Sequence, residues 1–142
     1  MLTKTQSEFI LELETRGPWA IISAEKSYLE RQHNAARTAN LRAELINRYR
    51  TDPIELRGRW ARKTEVSFLA QISIFDAVEV GSNFWQDSVI TNSALVSCDG
   101  KGTHYRILGI REARDLDIAW SEVELTDGWF RFVIEFSKEE SK

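Results

Sequence analysis

Short apolar runs and alternating apolar and polar positions predict that much of this chain forms β-strands. The compact run at residues 19–23 has the composition of a buried strand, and alternation with a period of two continues in later segments. Turn residues separate several of these segments, as in antiparallel hairpins. The predicted strands lie at residues 19–23, 54–60, 66–72, 88–90, 94–97, 104–110, 121–125 and 129–136.

The last predicted strand shows the clearest alternation. Its aromatic and aliphatic residues fall on one face and its charged residues on the other. We therefore expect Arg131 and Glu135 to face solvent and the alternate positions to face the core. These core positions are Phe130, Phe132, Ile134 and Phe136.

Helical spacing replaces this alternation in three places. Residues 5–15 form a short amphipathic pattern that ends before Gly17-Pro18, and residues 31–50 form a longer one. Ser73 precedes a third pattern, with Asp76 three residues later, close to a capping box. The apolar stripe of the longest helix consists of Ala35, Ala39, Leu41, Leu45, Ile46 and Tyr49.

Together these elements predict an α+β fold in a single domain over residues 1–142. We expect a single mixed or mainly antiparallel sheet with two to three helices packed on it. The helix at residues 31–50 should pack on a sheet that contains both 19–23 and 66–72, because its apolar stripe needs a partner surface.

The composition is that of a globular protein. The chain has 142 residues, of which 42% are hydrophobic and 29% charged. No apolar run approaches the roughly 20 residues that span a bilayer, and acidic residues interrupt the N-terminal apolar stretch. Cys98 is the single cysteine, so no disulfide can form within the chain. We expect a cytoplasmic protein without membrane contact, in the host cytosol if a phage encodes it.

The sequence offers no motif for a metal, a cofactor or a nucleophile. His33, Cys98 and His104 do not have the spacing of zinc ligands, and no Gly-rich phosphate loop is present. Ser23 and His33 are the one suggestive nucleophile–base pair, but no G-x-S-x-G turn surrounds the serine. We therefore assign no metal, no cofactor and no catalytic residue.

Positive charge is concentrated in one part of a chain whose net charge is −3. Residues 26–63 hold ten Lys and Arg against four Asp and Glu. Such a segment could form a basic face that meets an anion, or a solvated face whose charges pair with the acidic C-terminal part. A nucleic-acid site would use Arg48, Arg50, Arg57, Arg59, Arg62 and Lys63, although a pI near 5.5 argues against it.

Polar residues also cluster where the first strand meets the long helix. Ser23 and Glu25 end the strand, and Asn34 and Arg37 lie early in the helix. A helix N-terminus favours anions, and Arg37 could add a bidentate hydrogen-bonding contact to the same anion. The alternative is ordinary capping by Asn34, with Glu25 paired to a neighbouring cation.

Two further junctions carry similar side chains. Glu65 and Ser67 lie on one face at the start of a strand, and Gln86 and Ser88 lie between a helix end and a strand. We predict that the three junctions line one pocket. Its candidate ligand-binding residues are Ser23, Glu25, Asn34, Arg37, Glu65, Ser67, Gln86 and Ser88.

The order of these short motifs resembles a family of small phage and bacterial proteins classed as a domain of unknown function. The motifs are Ser23-Ala24, Asn34, Glu65-x-Ser67-Phe68 and Gln86-x-Ser88-Val89, within residues 19–98. The resemblance implies a shared α/β-type core with a polar pocket at three junctions. Family members often have Asn-Pro or a similar pair after the first Ala-x, whereas here Glu25-Lys26 is followed by Ser27. The strands after Gly102 have no recognised counterpart in the family.

We therefore favour a small phage- or mobile-element-type accessory protein without catalysis. It would bind an anionic, nucleotide-like or phosphate-bearing ligand, or block a host defence protein. Trp60 or Trp85 could stack a base, with core packing as the alternative. Two other functions stay open: an enzyme on a nucleotide-like substrate, with Glu25 or Glu65 as general base and Arg37 as anion clamp, and nucleic-acid binding through residues 48–63.

Overall fold

A computed structural model describes the central part of the chain and several later strands. The described residues are 12, 15–60, 63–92, 94–98, 105–110, 114–115, 120–126 and 131–137. The helix predicted at residues 5–15 falls almost wholly outside them. Two helices are described, α1 at Arg31–Asn47 and α2 at Ile74–Asn83.

The strands form one antiparallel sheet. In sequence order they are β1 Ala20–Ser23, β2 Ile54–Trp60, β3 Lys63–Ala70, β4 Ser88–Thr91, β5 Ala94–Ser97, β6 Tyr105–Ile107, β7 Gly109–Ile110, β8 Arg114–Asp115, β9 Trp120–Thr126 and β10 Arg131–Ser137. Their order in the sheet is β6-β5-β4-β1-β3-β2-β10-β9-β7, and β8 pairs with β9. The predicted α+β class is confirmed, and every described strand pair is antiparallel.

The predicted pairing of the first strand is also confirmed. Ala20 of β1 lies opposite Ala70 of β3, and Ser23 lies opposite Ser67. On its other side β1 pairs with β4. All four residues of β1 are buried, because core residues cover the strand on both faces of the sheet.

The two helices cover one face of the sheet. The buried cluster on this face includes Leu41 and Leu45 of α1 and Ala77 and Val80 of α2. The long helix is shorter than predicted, since it ends at Asn47, and Arg50 has a left-handed backbone with φ 58°. Of the predicted apolar stripe only Leu41 and Leu45 are fully buried, whereas Ala35 and Ala39 are exposed.

The start of α2 agrees with the sequence prediction. The Ser73 hydroxyl accepts a hydrogen bond from the Asp76 backbone N–H at 3.1 Å, which caps the helix. Gly81 allows the helix to approach the sheet, because a Cβ atom at this position would lie 2.8 Å from Val89 and 2.9 Å from the Cys98 sulfur. Within the described residues, neither helix has the length and apolar character needed to cross a membrane.

A second buried cluster occupies the opposite face of the sheet. It is formed by Trp19, Ile21, Leu56, Leu69, Ile90, Leu108, Leu125, Phe132 and Ile134. The Phe132 ring lies directly over Gly58 of the neighbouring strand, where a Cβ atom would overlap it. Phe132 and Ile134 are buried as predicted. Residue 130 and the side chain of Phe136 lie outside the described part of the structure.

The prediction that Glu135 faces solvent is wrong. Arg131 is exposed, but Glu135 has only 6% of its surface accessible. Its carboxylate forms ion pairs with Arg57 at 2.8 Å and Arg59 at 2.6 Å. The alternation placed Glu135 on the correct face, opposite Phe132. Because β2 pairs with β10, two long arginine side chains cover the carboxylate.

Candidate functional site

A cavity of about 420 Å³ opens on the second face of the sheet, beside the ends of β1, β3 and β4. Its apolar lining consists of Ile21, Ile90, Leu95 and Phe132. Its polar lining consists of Ser23, Glu25, Lys26, Ser27, Tyr28, Lys63, Glu65, Ser67, Gln86, Asp87 and Ser88. The sheet register explains this grouping, because paired residues project on the same face: Ser23 opposite Ser67, and Ile21 opposite Ile90.

Most of the predicted ligand-binding residues meet at this cavity. The six that line it are Ser23, Glu25, Glu65, Ser67, Gln86 and Ser88. The other two, Asn34 and Arg37, do not line it. Three separate junctions of the chain thus contribute to one site, as the sequence predicted, but the helical residues serve another purpose.

Glu25 and Glu65 form the acidic part of the cavity. Burial is the main cause that raises the pKa of Glu65 to about 7, and the negative charge of Glu25 raises it further. The Ser23 hydroxyl and the ammonium groups of Lys26 and Lys63 oppose this shift. Near neutral pH the Glu65 carboxyl group can therefore either donate or accept a hydrogen bond.

The position of Glu25 is fixed by the surrounding backbone. Its carboxylate accepts a hydrogen bond from the Val66 N–H at 2.9 Å. The Gln86 side-chain amide donates to the Glu25 carbonyl at 3.2 Å, and the Ser23 hydroxyl accepts from the Glu25 N–H at 3.2 Å. These bonds join β1, β3 and the segment after α2, so the acidic pair is held by three elements.

The raised pKa of Glu65 predicts that stability falls as pH rises. The folded protein keeps this proton up to a pKa of about 7, whereas the ordinary value is 4.5. The folded state therefore binds more protons than the unfolded state between these values. The contribution of this group to stability is greatest below about pH 4.5 and is lost as the pH passes 7.

We expect Glu65→Gln to raise the free energy of unfolding at about pH 8.5 by on the order of 2–3 kcal/mol, because the amide needs no proton to stay neutral. At about pH 5 the substitution should change stability little. Urea denaturation at both pH values measures the difference. An equal effect at both values would contradict the assigned titration.

Arg37, the predicted anion contact, does not line this cavity. Its Nε donates to the Ala24 carbonyl at 2.6 Å, and its Nη2 donates to the Phe84 carbonyl. The guanidinium carbon also lies 5.9 Å from the centre of the Phe84 ring. Arg37 thus joins the residue after β1 to the residue after α2.

Asn34 also has a local structural role. Its side-chain oxygen accepts from the Lys26 N–H at 2.8 Å, and its amide nitrogen donates to the Lys26 carbonyl at 3.0 Å. The helix itself begins after Glu30, whose side chain makes no cap bond. Asn34 therefore fixes the loop that precedes α1 and is not the N-cap of the helix.

Nine cavity residues were not among the predicted site residues: Ile21, Lys26, Ser27, Tyr28, Lys63, Asp87, Ile90, Leu95 and Phe132. Lys63 lies two residues before Glu65 on the same strand, so alternation could have revealed it. Phe132 comes from β10, far along the chain, and no local signal could have placed it here. Tyr28 lies in the loop before α1 and is 76% exposed, and a loop position alone does not predict that it lines the cavity.

Three of the six basic residues proposed for a nucleic-acid site form ion pairs, and Arg62 lies outside the described residues. Arg48 lies 3.2 Å from Glu44 and 3.6 Å from Glu79. Arg57 and Arg59 both pair with Glu135, as described above. These pairings offset much of the positive charge that supported the nucleic-acid alternative.

Across the described ranges, no group of three His, Cys, Asp or Glu side chains is arranged to hold a metal ion. A scan against protein-family models found no match, and a search of curated proteins found none either. The class that the fold and the site define is thus an antiparallel α+β protein with an acidic, partly apolar cavity.

Proposed function

We propose that the cavity binds a small organic molecule that presents N–H or ammonium donors to Glu25 and Glu65 while its apolar part lies over Ile21, Ile90 and Phe132. The observation that carries this proposal is the presence of two neighbouring carboxyl groups at one side of an apolar-floored cavity. Binding sites commonly combine an apolar lining with a few polar groups that orient the ligand. The role is one of capture and needs no catalytic step.

The charge of the cavity changes the ligand expected from the sequence. Three carboxyl groups line it, from Glu25, Glu65 and Asp87, against the two ammonium groups of Lys26 and Lys63. Arg37, the predicted anion contact, is engaged elsewhere. A nucleotide-like ligand would therefore enter with its base towards the carboxyl groups, since these accept hydrogen bonds from base amino groups. Its phosphate would lie outward, towards the exposed Lys63.

Isothermal titration with a panel of nucleosides, nucleotides and the amine spermidine tests this proposal. For a compound that binds at about pH 8.5, we expect Glu65→Gln to lower the affinity by roughly 10- to 150-fold, because a charged hydrogen bond contributes about 1.5–3 kcal/mol. A ligand that requires the carboxylate should also bind less tightly at about pH 5.5, where Glu65 is protonated.

Glu30→Gln provides a matched control for that experiment. Glu30 is exposed, makes no side-chain cap bond and does not line the cavity, yet its substitution removes the same charge. It should leave affinity unchanged. Equal affinities of the wild type and Glu65→Gln for every bound compound would refute the proposal.

Acid–base catalysis is the second candidate function, and the pKa of Glu65 near 7 favours it. A general base works best when its pKa lies near the working pH, and neighbouring carboxyl groups are a common way to achieve this. Under this alternative Glu65 would accept a proton from the substrate, and the charge of Glu25 would help to keep the pKa of Glu65 high. Product analysis with the same panel distinguishes the two: Glu65→Gln would abolish turnover while part of the binding survives. The phage-type accessory role stays a prediction from the sequence.

A further inference from the structure

Trp85 ends α2 in a conformation that disfavours tryptophan. Its φ is 63°, in the left-handed region. Its N–H donates to the Ser82 carbonyl at 3.0 Å, and the Gln86 N–H donates to the Gly81 carbonyl at 2.9 Å. This pair of bonds is the Schellman arrangement, in which the left-handed residue is usually glycine because a Cβ atom is strained there.

Packing does not account for the tryptophan. Trp85 is 74% exposed, although a tryptophan side chain usually buries a large apolar area. Local stability would therefore favour glycine at position 85, and the exposed ring adds little to the core. Strained backbone held at a cavity is a recognised mark of a functional position.

The backbone of Trp85 lies next to two residues that line the cavity, Lys26 and Gln86. The Lys26 ammonium group donates to the Trp85 carbonyl, and the same ammonium lies 5.9 Å from the centre of the Tyr28 ring. Tyr28 lines the cavity and is 76% exposed. Gln86, which follows Trp85 directly, lines it as well. Lys26 thus contacts the ring of Tyr28 and the backbone of Trp85, two exposed aromatic residues from different junctions.

We propose that Tyr28 and Trp85 form an aromatic mouth that stacks a flat heteroaromatic ring, so that the ligand of the cavity belongs to the nucleobase class. This inference rests on the proposed binding function and narrows its ligand. Stacking on exposed aromatic side chains suits every base, because each has a π-face. The edge of the same ring would meet the Glu25 and Glu65 carboxyl groups inside the cavity.

The shared chemistry is a base, and it could come from a free nucleoside or from an unpaired nucleotide in a strand. Titration of the full chain with adenosine, guanosine, cytidine and uridine, and separately with a single-stranded decanucleotide, distinguishes these sources. If the site takes a free nucleoside, the protein binds a nucleoside at least as tightly as the decanucleotide. If the site takes a nucleotide within a strand, the protein binds the decanucleotide more tightly, and that affinity falls as the salt concentration rises.

Trp85→Gly separates stability from binding. We expect the melting temperature to rise by about 2–4 °C, because glycine relieves the left-handed strain. We expect affinity for the bound base to fall by roughly 5- to 150-fold, the range for the loss of one stacking contact. Trp85→Phe, which keeps an aromatic ring, should retain most of the affinity.

Two control variants match the two effects. Arg50→Gly relieves the strain at the other non-glycine residue described with a positive φ, so it should raise the melting temperature without changing nucleoside binding. Phe75→Ala removes another exposed aromatic side chain, 88% accessible and absent from the cavity lining, and should leave base binding unchanged.

The outcomes distinguish this inference from the binding proposal beneath it. If spermidine binds in a manner that depends on Glu65 while no nucleoside or decanucleotide binds, the aromatic mouth is refuted and the binding proposal stands. If a base binds equally well to wild type and Trp85→Gly, the mouth is also refuted. A base whose affinity depends on Trp85 but not on Glu65 supports the mouth and refutes recognition by the carboxyl groups.

Discussion

Phe132→Ala is expected to lower the free energy of unfolding by about 3–5 kcal/mol, the usual range for truncating a buried phenylalanine. The Phe132 side chain is 6% exposed and lies over Gly58, in the same buried cluster as Leu56 and Leu125. Gly58 has no side chain to fill the space under the ring, so truncation would leave a cavity there. Urea denaturation followed by circular dichroism measures the loss.

Phe75→Ala is the matched control for this stability measurement. The Phe75 ring is 88% exposed, so its removal should change stability by less than about 0.5 kcal/mol. A loss below about 1 kcal/mol for Phe132→Ala would show that the second face of the sheet is not a core. Because Phe132 also lines the ligand cavity, its truncation should increase the volume of that cavity.

Arg37→Ala is expected to destabilise the fold by roughly 2–5 kcal/mol, and its effect on ligand binding should be secondary. The substitution leaves the carbonyl groups of Ala24 and Phe84 without their charged donor. The Ala24 carbonyl left unpaired costs about 1–3 kcal/mol, and the lost charged hydrogen bond to Phe84, whose carbonyl keeps the Gln86 amide as donor, costs about 1.5–3 kcal/mol. Thermal and urea denaturation provide the measurement.

Arg42→Ala removes the same charge from an exposed position on the same helix and should be nearly neutral. The contrast between the two variants isolates the hydrogen bonds from the charge. A stable Arg37→Ala protein that had lost ligand affinity would instead restore Arg37 as an anion contact.

Alternation in the sequence was enough to predict the faces of the strands and part of the site. Ser23, Glu65 and Ser88 meet because residues with a period of two project from one face of paired strands. The capping of α2 by Ser73 was also readable, since the bond is formed within one turn. Contacts made within a few residues leave a signature in the sequence.

The remaining features depend on which distant strands pair. Nothing local indicates that β10 lies beside β2, and that pairing brings Phe132 to the cavity and Glu135 between two arginines. The role of Arg37 likewise depends on the end of α2 lying close to the end of β1. A cation near a helix N-terminus looks the same in sequence whether its donors meet a ligand or two carbonyl groups.

Because α2 approaches the sheet closely at Gly81, the reactivity of the single cysteine depends on whether this helix separates from the sheet. Cys98 is 6% exposed, and its sulfur lies 2.9 Å from where a Cβ atom on Gly81 would be, so separation of α2 from the sheet would open this side of the thiol to a reagent. Gln86, which follows that helix, lines the ligand cavity. The alkylation rate of Cys98 in the folded protein would therefore report how often this side of the cavity loosens, and slower alkylation in the presence of a ligand would show that binding holds the helix in place.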